Sequence, residues 1–301
     1  MLAAAVLWGT VGPAQLWADT GVHPVSLGAC RMLLGGLVLS LLTVRPEGLR
    51  MLRRPGAGRW VVLSVLVTAA FQVCFLQAVE RSGAALATAV AFGTVPVVGG
   101  LCARVLRAER PTRRWLLGTV CAVAGIGLLL LPGSGARVDV AGVGFGVVAG
   151  ASFGIYIAAS KELGARGVDL AAAAPVSVLC AGLLVSPYLL AAPEGLSGLA
   201  TGRSAALIGW LGLGTTALGY LLFTRGVGRL SAATTGTLSL TEPLVATVLG
   251  VVVLGERPGA PAAAGAVLLL LGLVLVSLPE RHRTVPAAAP PTGPGITAGK
   301  R

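Results

Sequence analysis

Two charged side chains stand deep inside long apolar runs, and they have the most chemistry to offer. Glu242 lies twelve residues from Leu230 and twelve from Leu254, at the middle of the run 230–254. Arg31 lies seven residues into the run 24–44. A charge at the centre of a bilayer-spanning helix costs on the order of 3 kcal/mol by insertion scales, so such a residue is functional or paired. A carboxylate there can hold an amine or a proton, and a guanidinium can hold a carboxylate. Other readings stand beside these. Glu242 could serve a structural ion pair with Arg31, or a protonated, hydrogen-bonded brace between helices. Arg31, about 10 Å below the outer surface at 1.5 Å per residue, could reach the interface by snorkelling.

The surroundings of Glu242 support a site. Thr235, Ser239 and Glu242 follow i, i+4, i+7 spacing and share one helix face. Pro243 removes a backbone N–H and frees the Ser239 carbonyl, so a helix break is expected there, with Pro96 at the matching place earlier in the chain. Gln72, in mid-run, is a better polar candidate than Gln77 near the end of the same run. Trp8, Tyr156 and Tyr220, with Phe71 and Phe75, could wall a cavity, although aromatic rings in apolar helices also serve packing or face lipid. Thr215 and Thr216 are expected to bond their own backbone as readily as anything else. Enzyme chemistry finds little support. The two histidines are His23 and His282, no metal-binding HExxH is present, and no serine nucleophile has a base beside it. Five cysteines fall in apolar runs with no CxxC spacing, so neither a metal, a disulfide framework nor a cofactor is expected.

These residues need elements to hold them. The chain of 301 residues is 55% hydrophobic and 11% charged, with a mean hydropathy of +0.88, against roughly 25% charged in soluble domains. A helix needs about 20 apolar residues to cross a bilayer. Ten runs qualify: 2–18, 24–44, 60–79, 83–103, 115–132, 138–160, 170–192, 204–224, 230–254 and 260–278. The expected class is an all-α polytopic membrane protein with ten transmembrane helices, in the cell membrane. The first run has no preceding Lys or Arg and does not read as a signal peptide; it begins directly after Met1, which points to a natural start further upstream.

The net charge of +12 does not indicate nucleic acid, because zinc spacing and aromatic–basic interleaving are both lacking. With the N-terminus inside, cytoplasmic segments hold 18 Lys and Arg, while outer segments hold Arg81, Arg137, Arg203 and Arg257. That bias predicts both termini in the cytoplasm. Residues 280–301, rich in Pro and polar residues, are expected to form a disordered cytoplasmic tail.

The chain also repeats itself. An offset of 147 carries Thr88 to Thr235, Pro96 to Pro243 and Glu109-Arg110-Pro111 to Glu256-Arg257-Pro258; an offset of 145 carries Leu7–Thr10 to Ser152–Ile155. Two repeats follow, residues 1–135 and 136–279, each with five spans. Because five is odd, the second enters the bilayer upside down, an arrangement of secondary transporters that hold cargo near the midplane. Glu-Arg-Pro suits the start of a helix, with Pro in the first turn and Glu at the positive end; a gate latch is the functional alternative. Gly142, Gly146, Gly150 and Gly154 recur every four residues and mark a close-packing helix face.

The run from Ser239 to Leu278, with Glu-Pro followed by Gly-Glu-Arg-Pro, resembles the end of a repeat in the EamA family of the drug/metabolite transporter superfamily. Thr94–Leu130 is similar to the same pattern, and "LWGT" and Cys30–Leu39 resemble the family's first and second spans. The resemblance covers about residues 2–278 and implies ten spans in two repeats, moving a small metabolite or drug, usually outward. The partners expected are the bilayer, a small-molecule cargo and protons, but no nucleic acid. The alternative is a flippase for a lipid or lipid-linked carrier, with Arg31 on a phosphate.

Overall fold

The computed structural model describes residues 1–108, 112–129, 139–187, 201–255 and 259–278, with single positions 189, 199 and 257. Glu109–Pro111, Arg137, Glu256, Pro258 and the tail 280–301 lie outside the described residues. Regular structure among the described residues is entirely helical.

The apolar runs become rods, several of them jointed. Helices α1 (Leu2–Gly9) and α2 (Val11–Ala18) meet at Thr10, whose hydroxyl donates to the Leu7 carbonyl at 2.7 Å. Helix α3 (Pro24–Thr43) starts with a proline in its first turn and the His23 side chain accepting from the Val25 N–H. A short helix not expected from hydropathy, α4 (Pro46–Leu52), follows. Helix α5 (Gly58–Arg107) has 50 residues, which if straight would be about 75 Å long, over twice the hydrocarbon thickness. It folds back at Gly83, where φ is +79° and ψ is 157°, a backbone conformation open to glycine and closed to other residues. Its two limbs are the third and fourth apolar runs. Helices α6 (Arg113–Leu129), α7 (Val140–Ala165) and α8 (Leu170–Val185) come next. The eighth run is α9 (Gly202–Gly209), a π segment (Trp210–Leu218) and α10 (Gly219–Val227); the ninth is α11 (Ala232–Leu238) and α12 (Thr241–Leu254); the tenth is α13 (Ala260–Ser277). Six stretches are long and apolar enough to cross a membrane, and the 50-residue one is long enough to do so twice.

Glycine sets where the rods touch. The row Gly142, Gly146, Gly150, Gly154 on α7 lies along α5: a Cβ on Gly146 would come within 3.0 Å of Val90, and one on Gly154 within 3.0 Å of Val98 and 3.1 Å of the Val95 carbonyl. Helices α6 and α13 cross at two glycine pairs. A Cβ on Gly118 would meet the Gly272 carbonyl at 3.0 Å, and one on Gly125 the Gly265 carbonyl at 2.8 Å. Such contacts let backbones approach closely, the packing mode available where lipid removes the hydrophobic drive between helices.

The two prolines expected to break helices behave differently. Beside Pro243 the ninth run does break, between Leu238 and Thr241. The carbonyl of Ser239 then accepts the Glu242 N–H at 3.0 Å, so the freed acceptor is satisfied by a tighter turn. Pro243 falls in the first turn of α12, where its missing N–H costs no bond. At Pro96 the expectation fails. The helix runs through it, and the only non-helical residue inside α5 is Gly83. Both prolines are buried, but at Pro96 α11 lies so close that a Cβ on Gly236 would be 3.2 Å from its Cα, which braces the helix there.

Candidate functional site

A cavity of about 110 Å³ opens between α1, α3, α5, α7, α10 and α12, room for several water molecules. Its polar side chains are Arg31, Thr68, Gln72, Tyr156, Thr216, Tyr220 and Glu242, and its remaining wall is largely aromatic.

Glu242 reaches this cavity from the first turn of α12, at the positive end of that helix. The break at Ser239–Leu240 puts it there, since an unbroken ninth helix would offer no such end. No cation lies within 4.0 Å of its carboxylate among the described residues. Arg31 and Tyr220 are close enough to feel its charge. Arg31 is held elsewhere: its Nη2 donates to Oε1 of Gln72 at 3.1 Å. Gln72, 6% exposed, fits because residue 28 on α3 is glycine; a Cβ at Gly28 would overlap the Gln72 amide nitrogen and lie 3.0 Å from its Cδ. The cavity therefore holds an acid and a base apart, each facing the same space.

The aromatic wall is a connected cluster. The Trp8 ring lies 5.9 Å from Phe153, 5.5 Å from Tyr220 and 5.6 Å from Phe223, and Tyr156 lies 6.1 Å from Tyr220. Offset and edge-on pairs at these separations are the favoured arrangements. The Trp8 indole N–H donates at 2.9 Å to the Thr215 carbonyl in the π segment, and Gly219 leaves room for the indole. π segments occur often at functional sites, where extra backbone groups need partners. Here Thr215 and Thr216 both donate their hydroxyls to the Leu211 carbonyl, at 2.7 and 2.8 Å, which binds those side chains to their own backbone.

Six of the residues singled out from the sequence thus meet at one cavity: Trp8, Arg31, Gln72, Tyr156, Tyr220 and Glu242. Phe71 and Phe75 join them. Thr235 and Ser239 do not. Both are fully buried, and their hydroxyls donate to the Ser231 carbonyl at 2.8 Å and the Gly236 carbonyl at 2.6 Å. The seven-residue spacing placed them on the Glu242 face, but the chain tightens at Ser239 and Leu240, and both hydroxyls are taken up by carbonyls of their own segment. Phe153, Phe92 and Thr68 were not anticipated as cavity residues. Phe153 had a signal, since the offset of 145 carries Trp8 to it. Among the described residues no group of three His, Cys, Asp or Glu could hold a metal ion.

The model of the EamA-like transporter family matches residues 1–131 and again 140–278. The chain belongs to this family. The uncharacterized transporter YwfM of Bacillus subtilis (strain 168) is 34% identical over 96% of each chain. The protein PA1977 of Pseudomonas aeruginosa is 31% identical over 87% of each. A probable terminal-alkyne amino-acid exporter of Streptantibioticus cattleyicolor is 29% identical over 96% of each. A solved crystal structure superposes with a TM-score of 0.78 over 91% of this chain and 94% of the other, at 22% identity, a likeness of fold alone. This EamA-like chain is a polytopic membrane protein of transporter type.

Proposed function

We propose that the protein exports a small amino acid-like metabolite by alternating access about the cavity, within two inverted five-helix repeats, residues 1–135 and 136–279. The observation that carries the reading is the separation of charge: among the described residues Glu242 has no cation within 4.0 Å, and Arg31 is tied to Gln72 instead, both lining one cavity. An acid and a base left unpaired inside a membrane protein are costly unless a partner arrives. A cargo with an amine and a carboxylate supplies both partners at once, and the aromatic wall suits an apolar side chain between them. A cavity of about 110 Å³ supports a small cargo over a lipid-linked one.

Inversion has its own support. Gly9 meets the Glu242 carbonyl and Val245, while Gly154 meets the Val95 carbonyl and Val98. The offset of 145 carries Gly9 to Gly154, and 147 carries Val95 and Val98 to Glu242 and Val245, so one contact occurs twice. Gly118 and Gly125 become Gly265 and Gly272 at 147, and the contacts cross, Gly118 with Gly272 and Gly125 with Gly265. Crossed contacts of this kind are what a two-fold axis between repeats produces. The bias of 18 basic residues to 4 supports cytoplasmic termini.

The test uses purified protein in proteoliposomes with a panel of amino acids and related metabolites. Glu242→Gln should abolish transport of the cargo that the wild type moves, with the protein still folded, and Glu242→Asp should keep part of it. If Glu242→Gln transports normally, the carboxylate has no part in the mechanism. If it loses stability and neutralising Arg31 restores it, the pair is structural.

A further inference from the structure

At the end of the molecule that carries Arg107 and Lys161, charged side chains tie five spans together. Arg107, in the last turn of α5, donates from Nε to Oε1 of Glu162 at 3.1 Å and from Nη2 to the Lys161 carbonyl at 2.9 Å. Arg166 pairs with the other oxygen of Glu162, and its guanidinium lies 5.3 Å over the ring of Trp60 at the start of α5. Lys161 donates from Nζ to the Val227 carbonyl at 3.1 Å and to the Leu230 carbonyl. Val227 ends α10 and Leu230 precedes α11, so one ammonium clasps the turn between the eighth and ninth spans onto α7. The carbonyls at a helix end are unpaired within the helix and carry partial negative charge, which suits a lysine.

If the repeats are inverted, every one of these positions has a counterpart at the opposite end. The offset of 145 carries Leu16 and Trp17 to Lys161 and Glu162, and 147 carries Glu80 and Gly83 to Val227 and Leu230. At 147, Leu254 and Leu207 stand opposite Arg107 and Trp60. The chemistry is gone: where one end has Lys, Glu and Arg, the other has Leu, Trp and Leu. Leu16 and Trp17 are 66% and 70% exposed. Trp17, Leu207 and Trp210 line an open groove of about 480 Å³. The opposite end has an ion pair of its own, Arg81 to Asp139 at 3.8 Å, but it is part-exposed and lies at other positions; those equivalent to Lys161, Glu162 and Arg107 carry no charge.

We propose that Lys161 and the Arg107–Glu162–Arg166 cluster form a one-sided latch, making the conformation closed at this end the resting state. On the charge bias this end is cytoplasmic, so the resting protein faces outward, and opening to the cytoplasm is the step that must break charged contacts. At the opposite end the positions equivalent to the latch, Leu16, Trp17 and Leu254, can meet only through apolar contact. The proposal rests on the inverted-repeat reading.

Hydrogen–deuterium exchange on the full-length protein in lipid nanodiscs tests it. Lys161→Met should raise exchange in residues 226–232 about tenfold, the scale of a lost charged hydrogen bond, and should lower exchange in 14–18 and 80–86 as the opposite end closes. Lys161→Arg should behave as the wild type. Leu16→Lys places an ammonium opposite the Glu80 and Gly83 carbonyls at an exposed position; it should protect 80–86 and expose 226–232 with no residue of the latch altered. A rise confined to 226–232 in Lys161→Met, with no answering protection, would make the clasp a local brace and overturn the proposal. So would Leu16→Lys with wild-type exchange at both ends. A wild type that moves no metabolite, with variants that still show the reciprocal pattern, would end the transport reading and leave the latch standing.

Discussion

Gly28→Ala separates the two tasks of residue 28. Its added methyl would overlap the amide nitrogen of Gln72 and sit 3.0 Å from its Cδ. That amide is the far end of a flexible side chain, so it yields where backbone would not, and the helix stays intact. Replacing glycine by alanine inside α3 also gains about 1 kcal/mol of helix propensity, which offsets much of the crowding. Folding stability should therefore change little, by about 1 kcal/mol or less. The loss falls on the hydrogen bond from Arg31 to Gln72, 3.1 Å long. Released, Arg31 turns to Glu242 and regains there about the 1.5–3 kcal/mol of a charge-assisted bond, so stability holds, while cargo must displace that pair and its KM should rise about 10- to 100-fold. Gln72→Glu approaches the same point from the other side. It holds Arg31 in an ion pair and competes with the cargo's carboxylate, raising KM with no loss of stability. The assay is proteoliposome uptake beside thermal unfolding of the same preparations. A Gly28→Ala protein with a KM within twofold of the wild type and an unchanged Tm would refute the idea that Gln72 positions Arg31 for cargo.

Other expectations are as direct. Gly150→Ala drives a methyl into the Ala91 carbonyl and to 2.7 Å from Thr94 Cβ, where α5 cannot give way; it should cost about 1–3 kcal/mol. Gly127→Ala meets nothing within 4 Å among the described residues and should gain up to about 1 kcal/mol; thermal unfolding that ranks the two the other way would contradict the packing described. Reporter fusions after Arg54 and after Arg137 should fall on opposite sides of the membrane, and the same side for both would defeat the ten-span topology.

Sequence alone determined where the apolar rods lie, because burial in lipid depends on the composition of about 20 neighbouring residues and on nothing distant. The glycine row on α7 was legible for the same reason, as a spacing within one helix. Glu242, Arg31 and Gln72 stood out because polar groups are rare in such surroundings, and rarity is visible without a structure. What each of them touches was not visible. Whether Arg31 met Glu242, Gln72 or the interface depended on Gly28, forty-four residues from Gln72 in the chain and beside it in space. Thr235 and Ser239 read as neighbours of Glu242 only while the ninth helix was taken as unbroken, and Pro96 read as a break because its brace, Gly236, comes from another helix. The one-sided clasp of Lys161 likewise joins carbonyls and an ammonium from different spans. Hydropathy and helix periodicity are properties of a segment, whereas hydrogen-bond partners and closely packed backbones are properties of pairs of segments, and only the folded chain pairs them.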